Sequence, residues 1–170
     1  MDDLLLKTLV FGGVDGIITI FNIISSVEGA KLNYKYIFIL GMAALISDAI
    51  SMGTGEYLSL NADIKYKINN NINTKKDRIP YRNGILMFIS FIVFGFIPLL
   101  LYLLINKFFK KNNYIITYFS VILALFTLGV VQSKFTKEKW YISGGQVSLY
   151  GGAAAFIAFN ISSFISSQFS

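Results

Sequence analysis

The chain has 170 residues, of which 55% are hydrophobic and 14% charged, with a net charge of +6. Soluble domains carry roughly a quarter of their residues as charges, so this composition excludes an ordinary soluble domain. Cysteine and histidine are both absent, which excludes disulfides and thiol catalysis and removes the commonest general base and transition-metal ligand.

Five apolar segments are long enough, or nearly so, to cross about 30 Å of hydrocarbon. They cover residues 9–27, 37–60, 84–105, 114–131 and 142–166. The expected fold is an all-α integral membrane protein with one transmembrane domain over residues 1–170. The first run opens with Asp2 and Asp3 rather than a basic region and lacks a small-x-small site before Glu28. It therefore reads as a retained helix, not a cleaved signal. It carries Gly12, Gly13 and Gly16 around Asp15, and Glu28 reads as an interfacial residue beyond it. The second run carries Asp48 and Glu56 among small residues. Residues 61–83 form a short basic linker, and Asn69, Asn70 and Asn71 mark a break within it. The third run is rich in Phe, Ile and Leu, as suits a lipid-facing helix. The fifth opens with Trp140 and Tyr141, an interfacial pair, and holds Gly144, Gly145, Gly151, Gly152 and Ala153 to Ala155. Its Asn160 is expected to bond to another helix.

Charge sets the orientation. The start of the chain and the loops after the second and fourth helices hold ten of the basic residues, against five on the other side. The ten are Lys7, Lys65, Lys67, Lys75, Lys76, Arg78, Arg82, Lys134, Lys137 and Lys139, and the five are Lys31, Lys35, Lys107, Lys110 and Lys111. The positive-inside rule places the amino terminus in the cytoplasm and the carboxyl terminus on the far side. Basic residues confined to short loops read as a membrane surface, with lipid and not nucleic acid as partner.

Only nine acids occur in the chain, and Asp15, Asp48 and Glu56 stand inside apolar runs. An ionisable group at bilayer depth costs several kcal/mol and marks an ion or substrate pathway. Asp48, Met52 and Glu56 follow an i, i+4, i+8 spacing, which makes one slowly turning stripe on a helix, with Ser51 and Ser59 beside it. Asp15, Thr19 and Asn22 follow i, i+4, i+7, again one face, bordered by Gly12 and Gly16 that would admit another backbone. Neither face can turn to lipid, so each must meet the other or a symmetry copy. Carboxylates suit Mg²⁺, Ca²⁺ and Mn²⁺, and a thioether shifts preference toward softer ions such as Fe²⁺. Carboxylates also exchange a divalent ion for protons. Other readings stand beside these: Met52 as apolar filler, and Glu56 as a solvated group or a partner of Lys65 or Arg82. A hydrolase is disfavoured, because the carboxylate faces lack a paired nucleophile and base.

Residues 11–19, FGGVDGIIT, and residues 44–59, ALISDAISMGTGEYLS, resemble the first- and second-helix signatures of the vacuolar iron transporter family. The resemblance continues through residues 91–100, FIVFGFIPLL, through Leu128, Gly129, Lys134, Phe135, Thr136 and Trp140, and through residues 151–155, GGAAA. It implies a five-helix protomer in a parallel homodimer, with the ion path between copies lined by the first two helices. It implies Fe²⁺, often Mn²⁺, carried out of the cytoplasm in exchange for H⁺, with no permanently bound cofactor. The pathway carboxylate maps onto Asp15 and the pathway methionine onto Met52. Two departures stand out. Full-length members carry a glutamate-rich cytoplasmic domain after the second helix, whereas residues 61–83 hold no glutamate and only Asp63 and Asp77. Ala44 also stands where those members keep a pathway glutamate, and Asp48, one turn on, is the expected substitute.

The expectation is thus a non-enzymatic metal exporter, with Asp15, Met52, Asp48 and Glu56 on the path and Thr19, Asn22 and Ser51 as polar contacts. Its membrane would be the vacuole or another endomembrane in a eukaryote and the plasma membrane in a prokaryote. The alternative is a membrane protein that binds metal, or aids assembly, without transporting it.

Overall fold

A computed structural model describes residues 3–72, 79–108 and 113–169. It contains five helices: α1 (Asp3–Gly29), α2 (Lys35–Asn69), α3 (Pro80–Phe108), α4 (Asn113–Thr136) and α5 (Trp140–Gln168). All five are long and apolar enough to cross a membrane, and the chain is a multi-pass integral membrane protein. Each apolar run is the centre of a longer helix, because helical hydrogen bonding continues into the polar flanks once a helix is nucleated.

The helix α2 shows this most clearly. It extends nine residues past Leu60 and gains an i, i+4 ion pair between Lys67 and Asp63 at 2.6 Å. It stops at the asparagine run. Asn70 donates its side-chain amide to the Tyr66 carbonyl at 2.8 Å, and Asn71 takes the left-handed conformation at φ 54°, which asparagine tolerates better than most residues.

The helices alternate in direction. Thr8 of α1 meets Glu56 near the end of α2 and Asn83 at the start of α3. At the opposite end Glu28 of α1 meets Tyr102 of α3, and Ala30 meets Ser166 of α5. Lys7, Lys65, Lys67, Arg82, Lys134 and Lys139 therefore share one end of the bundle, and Lys31, Lys35 and Lys107 share the other. Lys75, Lys76, Asp77 and Arg78 of the linker, and Lys110 and Lys111, lie outside the described residues.

Packing is organised around α1, which touches all four other helices. On one side Ile20, Ile24 and Val27 join Leu45 and Ala49 of α2 and Phe91, Leu99 and Tyr102 of α3 in a core. On another, Ile17 and Phe21 join Val121 and Leu125 of α4 and Val147 and Ala155 of α5 in a second core. Among the described residues α2 touches only α1 and α3, and α5 touches only α1 and α4.

The helix α3 departs from the lipid-facing expectation. Only one of its sides, with Ile85, Ile89, Val93, Leu100 and Leu104, is exposed; Met87, Phe91, Leu99 and Tyr102 are buried. Lipid and protein core are equally apolar, so composition does not separate them. The contacts are made by small residues. A methyl group at Gly16 would collide with the Phe91 carbonyl of α3, and one at Gly84 would stand 2.7 Å from the Gly53 carbonyl of α2. The backbone admitted by Gly12 and Gly16 is thus that of α3.

Gly84→Ala should therefore cost about 1–3 kcal/mol through overpacking, read as a lower unfolding temperature in detergent. Gly145→Ala, where an added methyl meets nothing within 4 Å, should be neutral or gain up to about 1 kcal/mol from helix propensity. Equal unfolding temperatures for the two variants would contradict the close α2–α3 contact.

Candidate metal path on helices α1 and α2

The antiparallel packing of α1 and α2 sets their polar residues in register. Thr8 Oγ1 lies 3.1 Å from Glu56 Oε1. Seven residues further along α1 is Asp15, and eight residues back along α2 is Asp48. At about 1.5 Å per residue these steps are roughly 10 and 12 Å, so the two carboxylates fall level. Each lies within electrostatic reach of the other. The face begun by Asp15 continues with Thr19 and Asn22, and all three are half-buried. The Oδ1 atom of Asn22 is buried and accepts no hydrogen bond among the described residues.

On α2, Asp48, Met52 and Glu56 are likewise half-buried. Met52 also packs against the α1–α2–α3 core, so the ligand and filler readings are both compatible with its place. Ser51 is exposed. Ala43, Ser47 and Gly55, on the same side of α2, are exposed too, and a methyl group at Gly55 would meet no atom within 4 Å. One protomer thus presents a face of small and acidic residues with open space before it.

The carboxylates do not converge within this protomer. Among the described residues no three acidic side chains gather closely enough to hold a metal ion. Asp15 and Asp48 stand level, and Glu56 stands two helical turns away. Two like charges in low dielectric repel strongly. A divalent cation or a pair of protons placed between them relieves that repulsion, and the two exchange for one another.

Three contacts are not foreseen by spacing. Glu56 pairs with Thr8, not with Lys65 or Arg82, and Thr8 in turn accepts from Asn83 Nδ2 at 3.1 Å. Glu28 lies within α1 and accepts a hydrogen bond from Tyr102 Oη at 2.5 Å. This polar cluster faces α3, away from the Asp15 face. Asn160 donates to Phe156 of its own helix at 2.7 Å rather than across to another. A polar residue four positions from a carbonyl can satisfy itself locally. The polarity of positions 8 and 83 at the ends of apolar runs was the available signal for the first contact.

A profile of the VIT family matches residues 6–71 and 60–163, two stretches that overlap where α2 leaves the bundle. The vacuolar iron transporter of Plasmodium berghei (strain Anka) is 31% identical, with 91% of this chain and 80% of the relative covered. That of Plasmodium falciparum (isolate 3D7) is 30% identical over the same shares. The vacuolar iron transporter of Toxoplasma gondii (strain ATCC 50861 / VEG) is 49% identical over 57 residues, 34% of this chain and 19% of the relative. The two Plasmodium alignments run over 217 positions, more than the chain's 170 residues, so those relatives carry residues without a counterpart here. With sequence matched over nearly its whole length and five helices able to cross a membrane, the chain belongs to the VIT family.

Proposed function

We propose that the protein exports Fe²⁺, and also Mn²⁺, from the cytoplasm into a vacuole-like or other extracytoplasmic space, in exchange for protons. The observation that carries this reading is the level pairing of Asp15 with Asp48 on a half-buried face that one protomer leaves open. The similar Plasmodium proteins, named vacuolar iron transporters, support the iron part of it.

The path runs between two copies of the chain. Acids facing an open side cannot be left to lipid, and among the described residues no three of them gather within one protomer. A parallel homodimer brings two Asp15, two Asp48 and two Met52 side chains to one axis. The Met52 thioether favours Fe²⁺ over the harder divalent ions. Thr19 and the unpartnered Asn22 oxygen continue the path toward the far side, and Ser51 borders it. The amino terminus lies in the cytoplasm, beside the more basic end of the bundle, and the carboxyl terminus lies outside it. Lipid, a second copy and the ion are the partners. The membrane is that of a vacuole or other endomembrane in a eukaryotic cell and the plasma membrane in a prokaryotic one.

Proton exchange follows from charge balance. When the cation leaves, the paired carboxylates are relieved by protons from the far side. In proteoliposomes, an acidic lumen should accelerate Fe²⁺ and Mn²⁺ uptake, and each uptake trace should carry a matching rise in lumenal pH. Uptake without proton movement would refute the exchange. A protein that binds metal without moving it would saturate at a fixed stoichiometry instead.

In cells lacking vacuolar iron transport, Asp15→Ala and Met52→Ala should each abolish the iron tolerance that the parent chain confers. Normal tolerance in both, at equal expression, would overturn the assignment.

A further inference from the structure

A cavity lies between α1, α2 and α3 of a single protomer, nearer the end of the bundle that carries Lys7 and Arg82. It holds about 240 Å³ and is walled by Lys7, Thr8 and Phe11 of α1, Glu56 and Ser59 of α2, and Met87 of α3. Glu56 is half-buried. Its Oε1 faces the Thr8 hydroxyl, and Thr8 is anchored by Asn83, with both anchors only 2% exposed. The carboxylate is thus held at a fixed place on the cavity wall. Its Oε2 accepts no hydrogen bond among the described residues, and no Lys or Arg among them stands within 4 Å of it.

A half-buried carboxylate with no cationic partner within hydrogen-bonding reach attracts a cation. The other donors around it are two hydroxyls and the Met87 thioether, whose sulfur lies at the α1–α3 contact beside Gly12. This mixture of hard oxygen and one soft sulfur repeats the donor types of the Asp15, Asp48 and Met52 group. Lys7 lines the same cavity and is exposed, so it places an opposing charge at the rim.

We propose that this cavity is a weak entry site for the transported divalent cation, walled by a single protomer. Glu56 supplies the charge, Ser59 and Met87 supply further donors, and water fills the remaining positions. The inference rests on the transport reading for the identity of the cation, but not for the site's existence. One carboxylate opposed by Lys7 makes a weak site, which suits a cation that must move on. The next carboxylate is two turns inward, and the antiparallel register of α1 and α2 points the way to it.

The test uses the full-length protein and Mn²⁺ as probe. Binding is followed in detergent by the Mn²⁺ paramagnetic resonance signal, and uptake in vesicles. Glu56→Gln should raise the half-saturating Mn²⁺ concentration about tenfold or more, with the maximal rate kept, because the only formal negative charge of the site is lost. Lys7→Ala should lower that concentration by about two- to fivefold, as expected for a screened surface charge. Met87→Leu, which conserves volume, should reduce the preference for Fe²⁺ over Mn²⁺, a change that a packing role alone would not produce. Glu56→Gln with unaltered Mn²⁺ binding, at an unchanged elution volume and unfolding temperature, overturns the entry site. If the parent protein moves no metal, the transport reading fails by itself, and the binding measurement still decides the cavity.

Discussion

At Gly16 the backbone of α1 lies against the Phe91 carbonyl and the Gly95 amide of α3, with no side chain of α1 between them. The remaining arrangement depends on this contact. Close approach lets α1 bury one flank against α3, while Ile17 and Phe21 bury another against α4 and α5. Two cores therefore share a single central helix. What is left of its circumference is the strip bearing Asp15, Thr19 and Asn22, with α2 drawn up beside it. In a bilayer there is no hydrophobic force between helices, so contacts of this closeness, and not apolar burial alone, hold the acidic strip in a defined place.

The strip has an electrostatic logic of its own. A bilayer-depth carboxylate is expensive, and two facing each other are more so. Such a pair has no comfortable empty state, and only cations or protons make it one. In the proposed exchange, that repulsion would make loading by one ion conditional on departure of the other. Glu56 stands outside this pair, fixed by a hydroxyl rather than by a cation. Under the proposed transport, the two groups of oxygen donors would meet the same ion at different depths, with one charge at the entrance and more within.

Much of this was legible in the sequence, for identifiable reasons. Long apolar runs have few alternatives to transmembrane helices, so the all-α membrane class and the number of helices followed from composition. Acids are rare enough here that their placement inside such runs drew attention to Asp15, Asp48 and Glu56. Helical periodicity then grouped them into stripes. What it could not supply was relative register: that Thr8 meets Glu56, and that Asp15 stands level with Asp48, depends on how two helices slide past one another. Nor could it tell that α3 has a buried side, since Phe91 and Ile89 look equally suited to lipid. Glu28 passed for a surface residue because its partner, Tyr102, is 74 positions away. These are all contacts between distant segments, and a single sequence carries no direct signal for them.

The helix α2 has 35 residues, about 52 Å of unbroken rod, in a bilayer whose hydrocarbon is about 30 Å thick. The excess lies mostly at the end that stops at Asn71. The same rod carries Asp48, Met52 and Glu56. A lever of this kind converts a small lateral push on its protruding arm into a tilt at mid-membrane, without any signal passing through loops. A contact made to the helical turn around Lys65 and Lys67 would thus bear on the tilt of the segment that carries Asp48, because the two lie on one rod.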